Sequence, residues 1–293
     1  TVQEIMFFND MLVRCGAAIH EINAVRKHLS KVKGGHLARH IRPAEMITIY
    51  LSDVNGDTPE DVASGPTVPD TSTFSDALQV IEKYGLKNDM PASLLDHLLD
   101  GARGINADTP KPGDEIFAGS NVFLAGNNMK ALKAAEAEAE KAGFTTIIAE
   151  PELKGDTTDA CSHIIDLINW YRNDPGIKKP VCLLFGGETT VRVTGDGLGG
   201  RNQHLALQTA IRLQTIRGVT FLSAGTDGND GNTDAAGAVV DPETVHDALS
   251  MNIVPEDYLS KYDSHGFFRR AGGLILTGPT MTNVMDIAIA LIE

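Results

Sequence analysis

The sequence predicts an α/β protein of two domains, each with a mostly parallel sheet flanked by helices. Three observations carry that expectation. From residue 119 onward, short apolar runs rich in β-formers alternate with stretches of helical length, the pattern of strands crossed over by helices. The 293 residues fit two units at roughly 150 residues per domain. Hydrophobic residues at 42% and charged ones at 22% lie near the globular norm, and a chain of this length can bury about 75% of its unfolded surface without a metal or disulfide.

The opening segment reads as helix. Ile22, Val25, Leu29 and Val32 recur at helical spacing until Gly34-Gly35 stops the run, as a C-terminal cap does. Residues 46–51 read as a strand emptying into the turn-rich Ser52-Asp53-Val54-Asn55-Gly56-Asp57. Helices are expected at 73–84 and near 92–99. Residues 104–118, with Pro110, Pro112 and nearby glycines, read as the linker. The expected domains are therefore 1–118 and 119–293. In the second, strand 122–125, helix 129–142, strand 145–149, helix 157–172, strands 181–185 and 189–194, helix 203–214 and strand 219–223 follow in order. An Asp/Gly-rich loop comes next, then a strand at 274–276 and a helix at 282–292.

Lys and Arg number 25 and Asp and Glu 39, a net charge of −14. A surface of that sign repels nucleic-acid backbones, so no nucleic-acid partner is expected. No apolar run approaches the ~20 residues that span a bilayer, so no membrane partner is expected either. The sequence begins at Thr1 with no initiator Met, charged n-region or apolar h-region, which argues against a signal peptide. Cys15, Cys161 and Cys182 form no disulfide framework or metal spacing, and a reducing, cytoplasmic location is expected.

Four segments could carry chemistry. In Gly195-Asp196-Gly197-Leu198-Gly199-Gly200-Arg201-Asn202, the glycines at 195, 197 and 200 satisfy G-x-G-x-x-G ahead of a helix. Backbone amides of such a loop can cradle phosphate, and Arg201 can donate two parallel hydrogen bonds to a carboxylate or phosphate. A tight turn is the plain alternative, and no acid stands ~20 positions on as a dinucleotide site requires. The second segment, Gly225 to Asp234, clusters Asp227, Asp230 and Asp234 after a strand. It fails as an EF-hand, because Asn232 and Ala238 stand where Gly and Glu are needed. A solvated turn or a magnesium site of one or two carboxylates remain open. The third, Ser52 to Asp57, places Asp53 and Asp57 past a strand, as base, metal ligand or plain turn. The fourth lies between Glu21 and Glu45, which holds no acid but has Arg26, Lys27, Lys31, Lys33, Arg39, Arg42, His28, His36 and His40. It reads either as a solvated helix face or as a wall that attracts an anion. Ser64-Gly65-Pro66-Thr67 and Thr277-Gly278-Pro279-Thr280 repeat one hydroxyl-Gly-Pro-Thr loop. P-loop, H-E-x-x-H and G-x-S-x-G motifs are absent from the sequence.

Asn23-Ala24-Val25-Arg26-Lys27-His28-Leu29-Ser30-Lys31 with Lys33-Gly34-Gly35, Ala63 to Asp70, Gly186-Gly187-Glu188-Thr189-Thr190-Val191, Gly199-Gly200-Arg201-Asn202-Gln203, the run from Gly225 to Asp241, and Thr277 to Thr280 with Thr282-Asn283 together resemble the glycerate 2-kinase family with a MOFRL domain. Some members of that family are named hydroxypyruvate reductases. The resemblance implies a remainder of the N-terminal kinase domain at 1–118, a MOFRL-type domain at 119–293, and a cleft between them. There ATP and Mg²⁺ would phosphorylate the 2-hydroxyl of D-glycerate. Arg201 matches the family's active-site arginine, with Asp227 or Asp53 orienting the hydroxyl and Asp227 and Asp57 as metal ligands. Ser64, Gly65, Thr67, Gly199, Gly200, Asn202, Thr280 and Asn283 are the implied substrate and phosphate contacts, and a homodimer is admitted. His204, Met281 and Met285 depart from the family pattern, and nothing here corresponds to an upstream segment bearing an active-site lysine. An NAD(P)H-dependent hydroxypyruvate reductase and a non-catalytic anion-binding remnant are the alternatives.

Overall fold

The computed structural model describes every residue except Pro43 and Thr194. The chain forms two compact units, Thr1–Ala125 and Gly126–Glu293.

The first unit contains α1 (Val2–Arg14), α2 (Ile19–His28), α3 (His36–Ile41), β1 (Ile47–Leu51), α4 (Phe74–Lys83), α5 (Ala92–Ala102) and β2 (Asn121–Gly126), the last ending on the first residue of the second unit. Its core joins four helices: Phe8 and Leu12 of α1, Ile22 and Val25 of α2, Phe74, Ala77 and Ile81 of α4, and Leu94 and Leu98 of α5. Local chemistry fixes where α4 starts. Thr73 Oγ1 accepts from the Asp76 amide at 3.2 Å and Asp76 returns the bond to the Thr73 amide at 2.8 Å, a capping box. The helical run from Ile22 does not reach Val32: α2 stops at His28, and Ser30 Oγ accepts from the amides of Val32 and Lys33. β1 and β2 pair as a two-stranded ladder that leaves Ile47, Ile49 and Phe123 more than half exposed.

Residues 104–118 are no free linker. Asp108 meets His28, Thr109 donates to Asp70, and Pro110 accepts from the Asp70 amide. The prolines and glycines there mark a constrained path over the first unit, and the division falls later, after Ala125.

Glu21 ties α2 to α4. Lys83 and Tyr84 donate to it at 2.6 and 2.7 Å, the Ala18 amide at 2.9 Å, and these bonds hold its carboxyl down at about 2. A carboxylate depressed in the folded state stabilises above its unfolded pKa and loses that contribution as pH falls through its folded one. Wild-type urea midpoints should therefore drop between pH 4.5 and about 2 by more than those of Glu21→Gln. Parallel pH profiles for the two proteins would contradict this.

The second unit runs α6 (Asn128–Lys141), β3 (Thr145–Asp156), α7 (Thr157–Asn173), β4 (Val181–Thr190), α8 (Arg201–Leu213), β5 (Val219–Gly225), β6 (Gly237–Val240), α9 (Thr244–Ser250), α10 (Pro255–Ser260), α11 (Ser264–Ala271), β7 (Leu274–Ile275) and β8 (Asp286–Ile292). Its strands are ordered β3-β4-β8-β5-β6-β7. The α/β class holds, with helices flanking the sheet, but the sheet is mixed rather than mostly parallel. Among the described residues only β3 and β4 pair in parallel, and the sheet's other four ladders are antiparallel.

The reason lies in residues 286–292, expected to be helical. They form the strand inserted between β4 and β5. Ala288, Ala290 and Ile292 enter the main core with Ile164, Leu205 and Phe221, whereas Ile287, Ile289 and Leu291 pack with Leu132 of α6. Alternation between two cores is strand geometry, and a short run apolar at nearly every position does not reveal it in sequence. Likewise 181–190 is one strand, not two. The expected strand 189–194 ends at Thr190, and its last position, Thr194, lies outside the described residues. No helix among the described residues is long and apolar enough to cross a membrane.

Candidate active site

The register of the central strands sets the site. Asp286, the first residue of β8, lies opposite Gly187 on β4 and Gly225 on β5. Its carboxylate is met by Arg201, the first residue of α8. Arg201 Nε donates to Asp286 Oδ2 at 2.5 Å and an η nitrogen to Oδ1 at 3.0 Å, while the other η nitrogen sits 2.5 Å from Glu188 of β4. A cation is disfavoured at a helix N-terminus by the macrodipole, so this arginine needs such partners. Burial works against its charge, but the hydrogen bonds and field of Asp286, with Glu188, more than offset this and push its pKa up.

Asp227 lies beside this pair. A Cβ placed on Gly225 would meet Asp227 Oδ1 at 3.0 Å and Asp286 Oδ1 at 3.5 Å. Asp227 is half-buried, and its Oδ1 accepts from the Asn229 amide at 2.9 Å. Its Oδ2 makes no hydrogen bond among the described residues. The second hydroxyl-Gly-Pro-Thr loop is docked on this segment. Thr280 donates its amide to the Asp227 carbonyl at 3.0 Å and its hydroxyl to that of Thr226 at 2.6 Å, and Thr226 in turn bonds the backbone of Met285 and Val284. Asn283 is exposed and caps the Met285 amide. Met281 and Met285 hold positive φ of 60° and 67°, unfavourable for non-glycine residues.

The glycine loop does something other than cradle phosphate. Two first-turn amides of α8 are already taken: Asn202 N donates to Asp230 Oδ1 at 3.0 Å and Gln203 N to Oδ2 at 2.8 Å. Gly200 lets the Asp230 carboxylate approach, Gly199 makes room for Ser264, and Gly195 and Gly197 lie against Lys261 and Asp263. Burial raises the Asp230 pKa, against the amide bonds from Gln203 and Asn202 that lower it. Asn202 is itself buried, bonded to Asp230 and Ser223. Gly199, Gly200 and Asn202 thus build the helix start that aims Arg201.

In the first unit, Ser64 turns its hydroxyl inward to Asn23 at 3.1 Å and is buried. Gly65 has a φ of 57° and packs on Glu60, and Thr67 accepts from Thr48 at 2.9 Å. These residues dock their loop onto Gly34 and Gly35, whose amides donate to the Ser64 and Gly65 carbonyls, so the Ser64 hydroxyl is not presented to a ligand. Asp53 is exposed, and Asp57 has a φ of 54° with its carbonyl bonded to Tyr50. Lys27 is buried, 3.1 Å from Asp70 and 3.4 Å from Glu60, so the basic stretch is not a uniformly solvated face.

Sequence reasoning overlooked Asp286, placed inside an expected helix, and gave Glu188 no role. A lone acid opening an apolar run was the available signal for Asp286.

Residues 1–99 match the domain of unknown function DUF4147, and residues 181–286 match the MOFRL family. The D-glycerate 2-kinase of Thermotoga maritima is 42% identical over 293 residues, which are 100% of this chain and 67% of the relative. The chain belongs to the glycerate 2-kinase family. The glycerate 2-kinase of Pyrococcus horikoshii is 39% identical over 100% of this chain and 66% of its own length. A relative from Agrobacterium vitis with a provisional hydroxypyruvate reductase name is 40% identical over 97% of this chain and 63% of its own length. The crystal structure of a glycerate kinase from Thermotoga maritima superposes with a TM-score of 0.87, at 42% identity over 100% of this chain and 68% of that one. The chain thus spans about two thirds of the length of these family members.

Proposed function

We propose that the Arg201 centre of the second unit transfers the γ-phosphoryl group of ATP to the 2-hydroxyl of D-glycerate. One observation carries this reading: a guanidinium fixed by two hydrogen bonds to Asp286 offers its remaining edge to the half-exposed Glu188, beside Asp227, whose Oδ2 has no hydrogen-bond partner among the described residues. Phosphoryl transfer needs positioning and charge stabilisation more than covalent help. The glycerate carboxylate or the transferring phosphoryl takes the edge of Arg201 that Glu188 occupies. Asp227 accepts the hydroxyl proton as the glycerate oxygen bonds phosphorus and the bond to ADP breaks.

Among the described residues no group of three or more His, Cys, Asp or Glu forms a metal cage. Magnesium bound through nucleotide phosphates needs only one or two carboxylates. The hard oxygens of Asp227 fit it, with lone pairs to spare beside the Asn229 bond. When bound, the ion would neutralise charge on the phosphates. The hydroxypyruvate reductase reading is not favoured, because protein groups fill the Gly195–Gly200 loop where a dinucleotide pyrophosphate would lie. Three free cysteines support a cytoplasmic location.

A coupled assay for ADP should respond to D-glycerate and ATP together. Oxidation of NAD(P)H by hydroxypyruvate with no ADP response would overturn the proposal. Because Glu188 competes for the anion edge, Glu188→Gln should lower KM for D-glycerate roughly two- to fivefold, the scale of a half-exposed ion pair, with kcat little changed. A raised KM would show that Glu188 assists binding.

A further inference from the structure

The centre in the second unit leaves the basic stretch of the first unit unused. That stretch folds around a cavity of about 530 Å³, lined among others by His28, Lys31, His36, Arg39, His40 and His97, a size typical of small-molecule sites. No Asp or Glu is among its lining residues, although acids outnumber bases 39 to 25 in the sequence. Nearby acids are already engaged: Asp108 with His28 at 2.9 Å and Lys111 at 3.2 Å, Asp70, 4.0 Å from His28, with Lys27 at 3.1 Å, and Glu4 with the N-terminal ammonium and hydroxyl of Thr1 and the Ser93 hydroxyl.

We infer that this cavity binds a phosphate-bearing small molecule, with Lys31 and Arg39 as its charged donors. Arg39 is held in place by bonds to the Asp108 carbonyl at 2.9 Å and His36 Nδ1 at 3.4 Å, which leave its Nε–H without an acceptor among the described residues. Lys31 and His40 are exposed and make no hydrogen bond or ion pair among the described residues. The first turn of α5 also reaches the cavity through Ser93 and Leu94. That helix starts on Pro91 with no side-chain cap, so its amide end adds partial positive charge. The ring of Phe74, a core residue 4.7 Å from the ring of His28 and 5.7 Å from that of His97, backs the cavity floor. Inorganic phosphate would fill only a fraction of the space, whereas a phosphate ester or nucleotide would fill more of it.

Isothermal titration of the 293-residue chain with 2-phosphoglycerate, ATP and inorganic phosphate, each alone, tests the inference on wild type, Lys31→Glu and Arg201→Lys. At least one of the three should show a binding event beyond the one expected at the Arg201 centre. The affinity of that additional event should fall about tenfold or more in Lys31→Glu, the scale of one hydrogen bond between charged groups, and the event should persist in Arg201→Lys. The preference among the three probes identifies the ligand's source. Lys31 is exposed and has no partner among the described residues, so folding is not at stake in that variant, and His40→Glu provides a second surface change with the same expected direction. Absence of an additional binding event for all three probes, or an additional event insensitive to Lys31→Glu, overturns the inference, as does loss of all binding in Arg201→Lys. That last outcome would leave the kinase reading standing.

Discussion

Arg201→Lys should lower ATP-dependent phosphorylation of D-glycerate by about 10²–10³-fold, the cost of removing one preorganised donor from a site of developing charge. Lysine keeps the positive charge and can still meet Asp286. It cannot hold Asp286 through two nitrogens and present a third to a ligand, as Arg201 does at 2.5 and 3.0 Å with Glu188 on the remaining edge. Planar, multi-pronged donation is what separates the two residues. The fall should appear in kcat/KM with an unchanged far-UV circular dichroism spectrum. Turnover within a few-fold of wild type would show that charge alone suffices and that the fork has no role.

Lys27→Met should destabilise the first unit by about 3–5 kcal/mol, the usual result of leaving one member of a buried ion pair without its partner. Asp70 is fully buried. Burial would raise its pKa, but bonds from Ser72 and the field of Lys27 hold it below the usual carboxylate range. Thr109 donates to its other oxygen at 2.9 Å, so the charge cannot rotate toward water. Urea unfolding followed by circular dichroism and by hydrogen exchange of α2 and α4 measures the loss. Lys27→Met with Asp70→Leu should recover a large part of it, because replacing both partners removes the orphaned charge. An unchanged midpoint in the single variant would contradict the account.

Much of this could be read from the chain. Helices with a capping box or a terminal glycine, such as α4 between Thr73 and Gly85, came out within a residue or two, because local hydrogen bonding decides those ends. Arg201 and Asp227 were expected to act together. Asp227 and Asp286, the carboxylate that holds Arg201, lie around the same glycine of β5. What escaped depends on tertiary pairing. Whether Asp286 to Ile292 forms a helix or a strand is decided by the two cores on either side of the sheet, and neither is visible from seven apolar-rich residues. The same misreading hid Asp286 as the partner of Arg201. The glycine loop misled for a related reason. Close backbone approach requires glycine whether the approaching group is a phosphate or the protein's own Asp230 carboxylate, and the spacing does not say which. Ser64 matched a motif, but its hydroxyl faces Asn23, an orientation fixed by packing on the Gly34-Gly35 turn.

The claim on which the functional account rests is that the phosphoryl group moves at the Asp227–Asp286–Arg201 cluster. Phosphorus NMR of the chain with ATP, Mg²⁺ and D-glycerate, run on wild type, Asp227→Asn and Asp53→Asn, tests it most directly. The account predicts a growing 2-phosphoglycerate resonance in wild type and in Asp53→Asn, and its loss in Asp227→Asn. A phosphoester that forms at the wild-type rate in Asp227→Asn, or disappears only in Asp53→Asn, would contradict it.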